Sequence, residues 1–250
     1  MTRPSSARLR AVVFDLDDTL YLERDYVVSG FRAVAGWVQS HWGVPAAEGF
    51  GELWQLFEDG VRGETFDRWL QRRGIWQRER VRLLVDVYHD HVPQISPCPG
   101  VPELLDRLRQ QYVLGLVSDG PLVAQRRKLE ALGLGGRFRA VVWSDDWGRD
   151  ARKPDPRPFR AVLGALGVAP AGAVYVADNP VKDFVGARRA GVRTVRVRHT
   201  KGLYSTMEPP TPAYAPEAEV ASLQELELVL ETIERHEEHT SPPARPTVQT

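Results

Sequence analysis

The sequence predicts an α/β protein: a parallel sheet with helices on both faces, interrupted by one all-helical insertion. Three observations carry this reading. Short runs rich in β-branched and aromatic residues recur along the chain, helical patterns separate them, and one long segment near the N-terminus is helical only. Alternating strand and helix implies a parallel sheet covered on both faces.

The first run, Ala11-Val-Val-Phe14, ends in an acidic turn, as a buried parallel strand does at a functional edge. Residues 112–117 before Ser118, 140–143, 173–177 before Asp178, and 192–197 read as further strands. Helices are expected over 101–110, with Val101, Leu104, Leu105 and Leu108 on one face, over 122–132 closed by Gly133, and over 156–166 closed by Gly167. Between residues 21 and 97 strand-like runs vanish, and amphipathic segments occupy 27–41, 49–61, 65–73 and 78–91. Five of the seven tryptophans (Trp37, Trp42, Trp54, Trp69, Trp76) fall here and are expected to pack the core of a small helical bundle. After a Pro-rich stretch at 209–216, residues 222–234 predict a terminal helix, with Leu223, Leu226, Leu230 and Ile233 on one side. The polar, Pro-containing segment 236–250 is expected to be disordered. The division that follows is core 1–20, helical insertion 21–97, core 98–235 and tail 236–250.

Size and charge narrow the function classes. A chain of 250 residues with 42% apolar content exceeds one average domain and can bury a real core. Thirty-three Lys plus Arg cancel thirty-three Asp plus Glu, so net charge supplies no global attraction to nucleic acid or an anionic bilayer. Cys98 alone permits neither an intramolecular disulfide nor a thiolate-rich zinc site, which suits a reducing compartment, and beside its prolines it reads as a packed small side chain. The apolar stretch at 11–14 is too short for a signal h-region or a membrane span. A cytoplasmic monomer or homodimer, with no nucleic-acid or membrane partner, is therefore expected.

Six residues carry the chemistry. Asp15 and Asp17 stand two apart at the carboxyl end of the first strand, where alternation can aim both to one side. Ligands of open α/β sheets bind at that edge. Ser118 follows the second strand, and Gly120-Pro121 then opens a helix, gathering a hydroxyl and free backbone N–H groups into an anion site. Lys153, held extended by Pro154, can meet phosphate as a point charge. Asp178 ends another strand, with Pro180 at the first helical position and Asp183 in the first turn. Singly, each has an ordinary structural explanation: a solvated acid, a helix cap, a surface lysine. Together they fall after successive strands and converge on one rim. Four carboxylates facing one lysine need compensation, and oxygen donors without an adjacent His or Cys point to Mg²⁺.

In this order, Asp15-Leu-Asp-Asp-Thr19, Ser118, Lys153 and Asp178 with Asp183 resemble the four motifs of the haloacid dehalogenase superfamily of phosphohydrolases, over about residues 10 to 200. The insertion looks like the helical cap of that superfamily's first cap class. The resemblance implies a Rossmann-like core and a Mg²⁺-dependent phosphatase acting on a small phosphorylated metabolite, a sugar phosphate or nucleoside monophosphate. It implies that Asp15 is the nucleophile that forms an aspartyl-phosphate, and that Asp17 protonates the leaving oxygen and then activates water. Asp15, Asp178 and the Asp17 carbonyl would hold the metal, while Ser118 and Lys153 grip the phosphoryl oxygens. Asp183 would orient the lysine and the metal's water, and Thr19 would brace the first loop. The superfamily's true dehalogenases lack an aspartate at the position of Asp17, so phosphoryl transfer is expected rather than carbon–halogen cleavage.

Two departures from the pattern stand out. Asp119 replaces a common Asn, and its charge is expected to tune substrate binding; Ala177 replaces a common Gly. Arg24, Arg62 and Arg68 are the insertion's candidate selectors of the leaving group. Three alternatives stay open at this point: a phosphomutase that returns the phosphoryl group to the sugar, a receiver-like module that holds it without turnover, and a catalytically silent binding protein.

Overall fold

The structure, a computed structural model, describes residues 8–240. Six strands, β1 (Ala11–Phe14), β2 (Val113–Ser118), β3 (Ala140–Trp143), β4 (Ala173–Ala177), β5 (Arg193–Val197) and β6 (Ala218–Val220), form one sheet in the order β3-β2-β1-β4-β5-β6. All five pairings are parallel. Strand alternation sends Val12 and Phe14 to one face and Ala11 and Val13 to the other, and each face is covered. That is why β1 reads as an unbroken apolar run and lies wholly buried.

The helices are α1 (Glu23–Trp42), α2 (Ala46–Glu58), α3 (Thr65–Arg72), α4 (Arg78–Asp90), α5 (Val101–Leu108), α6 (Leu122–Ala131), α7 (Arg157–Leu166), α8 (Asp183–Arg189) and α9 (Leu226–Thr240). Leu104 and Leu105 of α5, Leu129 of α6, and Leu226 and Leu230 of α9 pack on the Val12 face of the sheet. Phe159, Val162 and Leu163 of α7 and Phe184 and Ala187 of α8 pack on the other. In the middle of β2, a Cβ on Gly115 would lie 2.8 Å from Val162 Cγ2, so glycine lets α7 settle directly on the strand.

Between β1 and β2, helices α1–α4 enclose a separate apolar cluster of Val27, Phe31, Val34, Val38, Leu53, Leu56, Phe57, Phe66, Trp69, Leu70 and Leu84. The spacing of Val27, Phe31, Val34 and Val38 is that of one helical face. Gly30 brings α1 against α4: a Cβ there would sit 2.3 Å from the Tyr88 ring. Of the five tryptophans, Trp69 is fully buried and donates Nε1–H to Glu52 Oε2 at 2.8 Å. Trp37, Trp42 and Trp54 are partly buried against the same cluster. Trp76 does not fit the expected packing role; it is 48% exposed and hydrogen-bonds Asp67.

Strands at 11–14, 140–143 and 173–177 fall where the sequence predicts them, and the other two start one residue later. The sixth strand was not predicted, since Ala-Glu-Val is too short to display a period. Pro180 does not begin a helix: residues 179–182 form a turn and α8 starts at Asp183. Helix α9 continues to Thr240, past the expected end at residue 234, and residues 241–250, expected to be disordered, lie outside the described residues. Among the described residues no helix is long and apolar enough to cross a membrane.

Candidate active site

The carboxyl ends of β1, β2 and β4 place the expected residues at one edge of the sheet. Asp15 follows β1 directly, and its N–H donates to the Val176 carbonyl of β4 at 2.9 Å, which locks the two strand ends together. Lys153 Nζ lies 2.7 Å from Asp15 Oδ1 and 2.7 Å from Asp183 Oδ1, with the Tyr175 hydroxyl at 3.0 Å. Asp183 is fully buried at the start of α8, and its Oδ2 accepts the Asn179 N–H at 3.0 Å. Its place in the first turn complements the helix dipole, as read from the sequence.

Asp15, Asp178 and Asp183 each present a carboxylate oxygen within 4.8 Å of the other two. Asp15 Oδ2 and Asp178 Oδ2 are buried and have no hydrogen-bond partner. Two orphaned buried carboxylate oxygens are costly in a fold unless a cation meets them, and an all-oxygen set suits a hard divalent ion. Burial raises the Asp15 carboxyl to about 6 against the attraction of Lys153. Asp178 stands well above the ordinary range through burial and then the charges of Asp183 and Asp15. Burial alone would also favour loss of the Lys153 proton, but Asp15 and Asp183 outweigh it and hold the ammonium charged.

Asp17 does not join this cluster. The strand ends at Phe14, so alternation no longer governs residue 17, and the chain turns through Asp18 at φ 50°. The Asp17 carboxylate accepts from the Tyr21 hydroxyl, from Gln125 Nε2 at 2.7 Å and from Lys128 Nζ at 2.7 Å. Burial pushes its carboxyl up, but Lys128 together with Tyr21 and Gln125 outweighs burial and holds it below the usual value. The expectation of four carboxylates around one lysine thus becomes two on Lys153, Asp15 and Asp183, with Asp178 beside them and Asp17 paired to Lys128.

Ser118 ends β2, buried, with its Oγ 2.9 Å from Gln125 Nε2. Asp119 turns aside from the carboxylate cluster: its Oδ1 accepts from Ser144 Oγ at 2.7 Å and from the Lys153 N–H at 3.3 Å. The charge that departs from the expected Asn therefore fastens the loop carrying Lys153. Thr19 is fully buried and no described side chain meets its hydroxyl, while its carbonyl accepts from His199 Nε2 at 3.0 Å. The first loop is tied instead by Asp18, which accepts the N–H of Glu23 at 2.8 Å and of Leu203 at 2.6 Å.

A cavity of about 360 Å³ opens over this edge, lined by Asp17, Gly120, Gln125, Lys128, Lys153 and Lys182 among others. A second, of about 370 Å³, lies within the helical insertion against Val27, Phe31, Phe57, Phe66 and Arg62, and the two share Glu23, Tyr88, His89 and Tyr204. Of the three arginines named from sequence, only Arg62 lines either of these two cavities; Arg24 pairs with Glu58, and Arg68 pairs with Glu64 and lines a separate cavity with Asp67 and Arg72.

Sequence reasoning missed Gln125, Lys128, Tyr21 and Tyr175. Gln125 and Lys128 sit in a polar run of α6 that reads as a solvated face, and Tyr175 reads as one more strand residue. The 3-residue spacing of Gln125 and Lys128 was the available signal, because it sets both on one side of the helix that follows Ser118.

A parallel sheet covered on both faces, with an acidic centre at its carboxyl edge, is the architecture of a hydrolase of the α/β class. The chain belongs to the haloacid dehalogenase-like hydrolases, whose family model matches residues 12–197. It is similar to a glyceraldehyde 3-phosphate phosphatase of Methanopyrus kandleri, 35% identical over 228 residues that cover 87% of this chain and 95% of that one. A phosphoserine phosphatase of Thermus thermophilus is 38% identical over 149 residues, 59% of this chain and 57% of that one. Among solved structures, a 2-haloacid dehalogenase from Pseudomonas syringae pv. Tomato aligns with a TM-score of 0.60 at 26% identity, covering 90% of this chain and 99% of that one.

Proposed function

We propose that the protein is a Mg²⁺-dependent phosphatase that hydrolyses a small phosphate monoester through an aspartyl-phosphate on Asp15. The observation that carries this reading is the separation of the two carboxylates of the first loop. Asp15 sits with Asp178 and Lys153 among orphaned oxygens, whereas Asp17 stands apart on the cavity wall. A nucleophile must meet an anionic phosphate inside a cluster of compensating charge, and an acid–base group must reach the leaving oxygen from another side. The presence of Asp17 supports phosphoryl transfer over dehalogenation, and the phosphatases among the relatives support a phosphate monoester.

In this reading the Asp15 carboxylate attacks phosphorus, the ester P–O bond breaks, and Asp17, ionised beside Lys128 before substrate enters, relays to the departing oxygen the proton that the monoanionic ester brings. Water then attacks the aspartyl-phosphate and returns a proton to Asp17, releasing inorganic phosphate and restoring Asp15. Lys153 and Ser118 hold phosphoryl oxygens, and Asp183 fixes the Lys153 ammonium. Asp15, Asp178 and the Asp17 carbonyl would hold Mg²⁺, which supplies charge neutralisation at the phosphoryl group. Residues 21–97 serve as a cap that excludes bulk water, with the cavity beside Arg62 taking the leaving group.

The test is a panel of phosphorylated metabolites with and without Mg²⁺, run beside Asp15→Asn and Asp17→Asn. Both variants are expected to keep the wild-type circular dichroism spectrum, and Asp17→Asn to lose about 10²- to 10⁴-fold in turnover. Hydrolysis by Asp15→Asn at the wild-type rate would falsify the nucleophile assignment. Product analysis separates the mutase alternative, since hydrolysis yields free phosphate and mutase action a positional isomer.

A further inference from the structure

The acid–base aspartate is held from an unexpected direction. Lys128 of α6 is 6% exposed, and its ammonium lies 2.7 Å from Asp17 Oδ1. The same ammonium stands 4.1 Å from the centroid of the Tyr26 ring, which belongs to α1 of the helical insertion. Tyr26 is itself fixed, with the Tyr88 ring edge-on at 5.4 Å and His91 at 5.0 Å. One helical turn along α6, Gln125 ties the other Asp17 oxygen to Ser118. Next to Lys128, Arg127 donates to the carbonyl of Asp90 at the end of α4. Helix α6 therefore meets the Asp17 carboxylate, the phosphate-side serine and the helical insertion through three residues of one turn, Gln125, Arg127 and Lys128.

An ammonium between a carboxylate and an aromatic face is attracted by both, so loss of either loosens its place. We propose that Lys128 is the positioning residue of Asp17 and couples it to the docked insertion: with Tyr26 seated on Lys128, the Asp17 carboxylate is oriented for proton transfer, and when the insertion lifts away that orientation is lost. The proposal rests on the reading of Asp17 given above. It assigns Lys128 no contact with the phosphoryl group, which Lys153 and Ser118 hold.

The experiment compares kcat and KM on the best substrate of the panel for wild type, Lys128→Met, Lys128→Arg, Tyr26→Leu, Asp17→Asn and the double variant Lys128→Met with Asp17→Asn. Lys128→Met is expected to lose about 100-fold in kcat, with KM changed by less than about threefold, and Lys128→Arg to recover about a tenth or more of the wild-type rate. Tyr26→Leu leaves both charges in place, which keeps a test in hand should Lys128→Met fail to fold, and is expected to lose about 10-fold in kcat alone. The double variant should be no slower than Asp17→Asn, because a residue acting through Asp17 has nothing left to orient.

Three results overturn the proposal: a raised KM at unchanged kcat in Lys128→Met or Tyr26→Leu, wild-type kinetics in either, or a full Lys128→Met penalty persisting in the Asp17→Asn background. A wild-type protein that hydrolyses no phosphate monoester overturns the parent reading, and this one with it. Wild-type hydrolysis with unaffected Lys128 variants overturns this one alone.

Discussion

Asp15 and Asp17 are neighbours but one in the chain, yet burial and partners push their carboxyl groups in opposite directions. Asp15 and Asp178 both weaken the metal-free fold. With its carboxyl raised to about 6 from an ordinary 3.8, Asp15 binds its proton more tightly folded than unfolded. The folded state therefore holds the extra proton between those values, and the metal-free protein loses stability as pH rises from about 4 through 6. Asp178, raised further by burial and two carboxylate neighbours, extends the loss upward. Asp178→Asn should accordingly melt above the wild type at pH 7.5 without metal, by the few degrees that about 1 kcal/mol gives a chain of this size, and should lose any Mg²⁺-dependent rise in Tm. Differential scanning calorimetry with and without Mg²⁺ checks both. At this scale the sequence disclosed the acids, the serine and the lysine because strand ends declare themselves. It hid Lys128 and Gln125, whose role depends on a loop direction that no periodicity encodes.

Two elements are built to deliver those residues. Helix α8 carries Gly186, where a Cβ would fall 2.4 Å from the Pro154 carbonyl oxygen, so only glycine lets the Lys153 loop rest on the helix that bears Asp183. Gly186→Ala should displace that loop, costing about 1–3 kcal/mol of stability and lowering kcat, which urea titration and a rate assay would show. On β5, Arg196 is fully buried and donates to the carbonyls of Asp178 at 2.9 Å and of Tyr204 and Met207 at 2.8 Å. It fastens the loop that puts Tyr204 into both cavities to the strand end that bears Asp178. Arg196→Met strands three carbonyl groups and should cost about 3 kcal/mol or more, with KM rising as Tyr204 loosens. The strand was legible as a strand; that a guanidinium within it organises a distant loop was not, because an arginine in an alternating pattern ordinarily faces water.

For the molecule as a whole, two packed bodies of different kind meet over one edge: a sheet covered on both faces and a helical unit with its own apolar cluster. The loss of strand-like runs after residue 20 agrees with helices α1–α4 between β1 and β2, since periodicity reports element type well. How the bodies touch was not foretold, because Leu203 against the insertion's apolar cluster and Lys128 on the Tyr26 ring join segments remote in sequence. If Mg²⁺ is bound by the folded state alone, saturating it at about 100 times its Kd should add about 2.7 kcal/mol to unfolding, and EDTA should return the Tm to the metal-free value.

The last strand has its own bearing on how copies of the chain can associate. β6 is three residues long, and the Glu219 carboxylate on it is engaged by Arg196 and Arg198. A second molecule adding its own strand there would find about three rungs and a charged margin, too little for a lasting ladder. Self-assembly by sheet continuation is thus disfavoured on that flank, which leaves the β3 edge and the helical surfaces for a paired form of this protein.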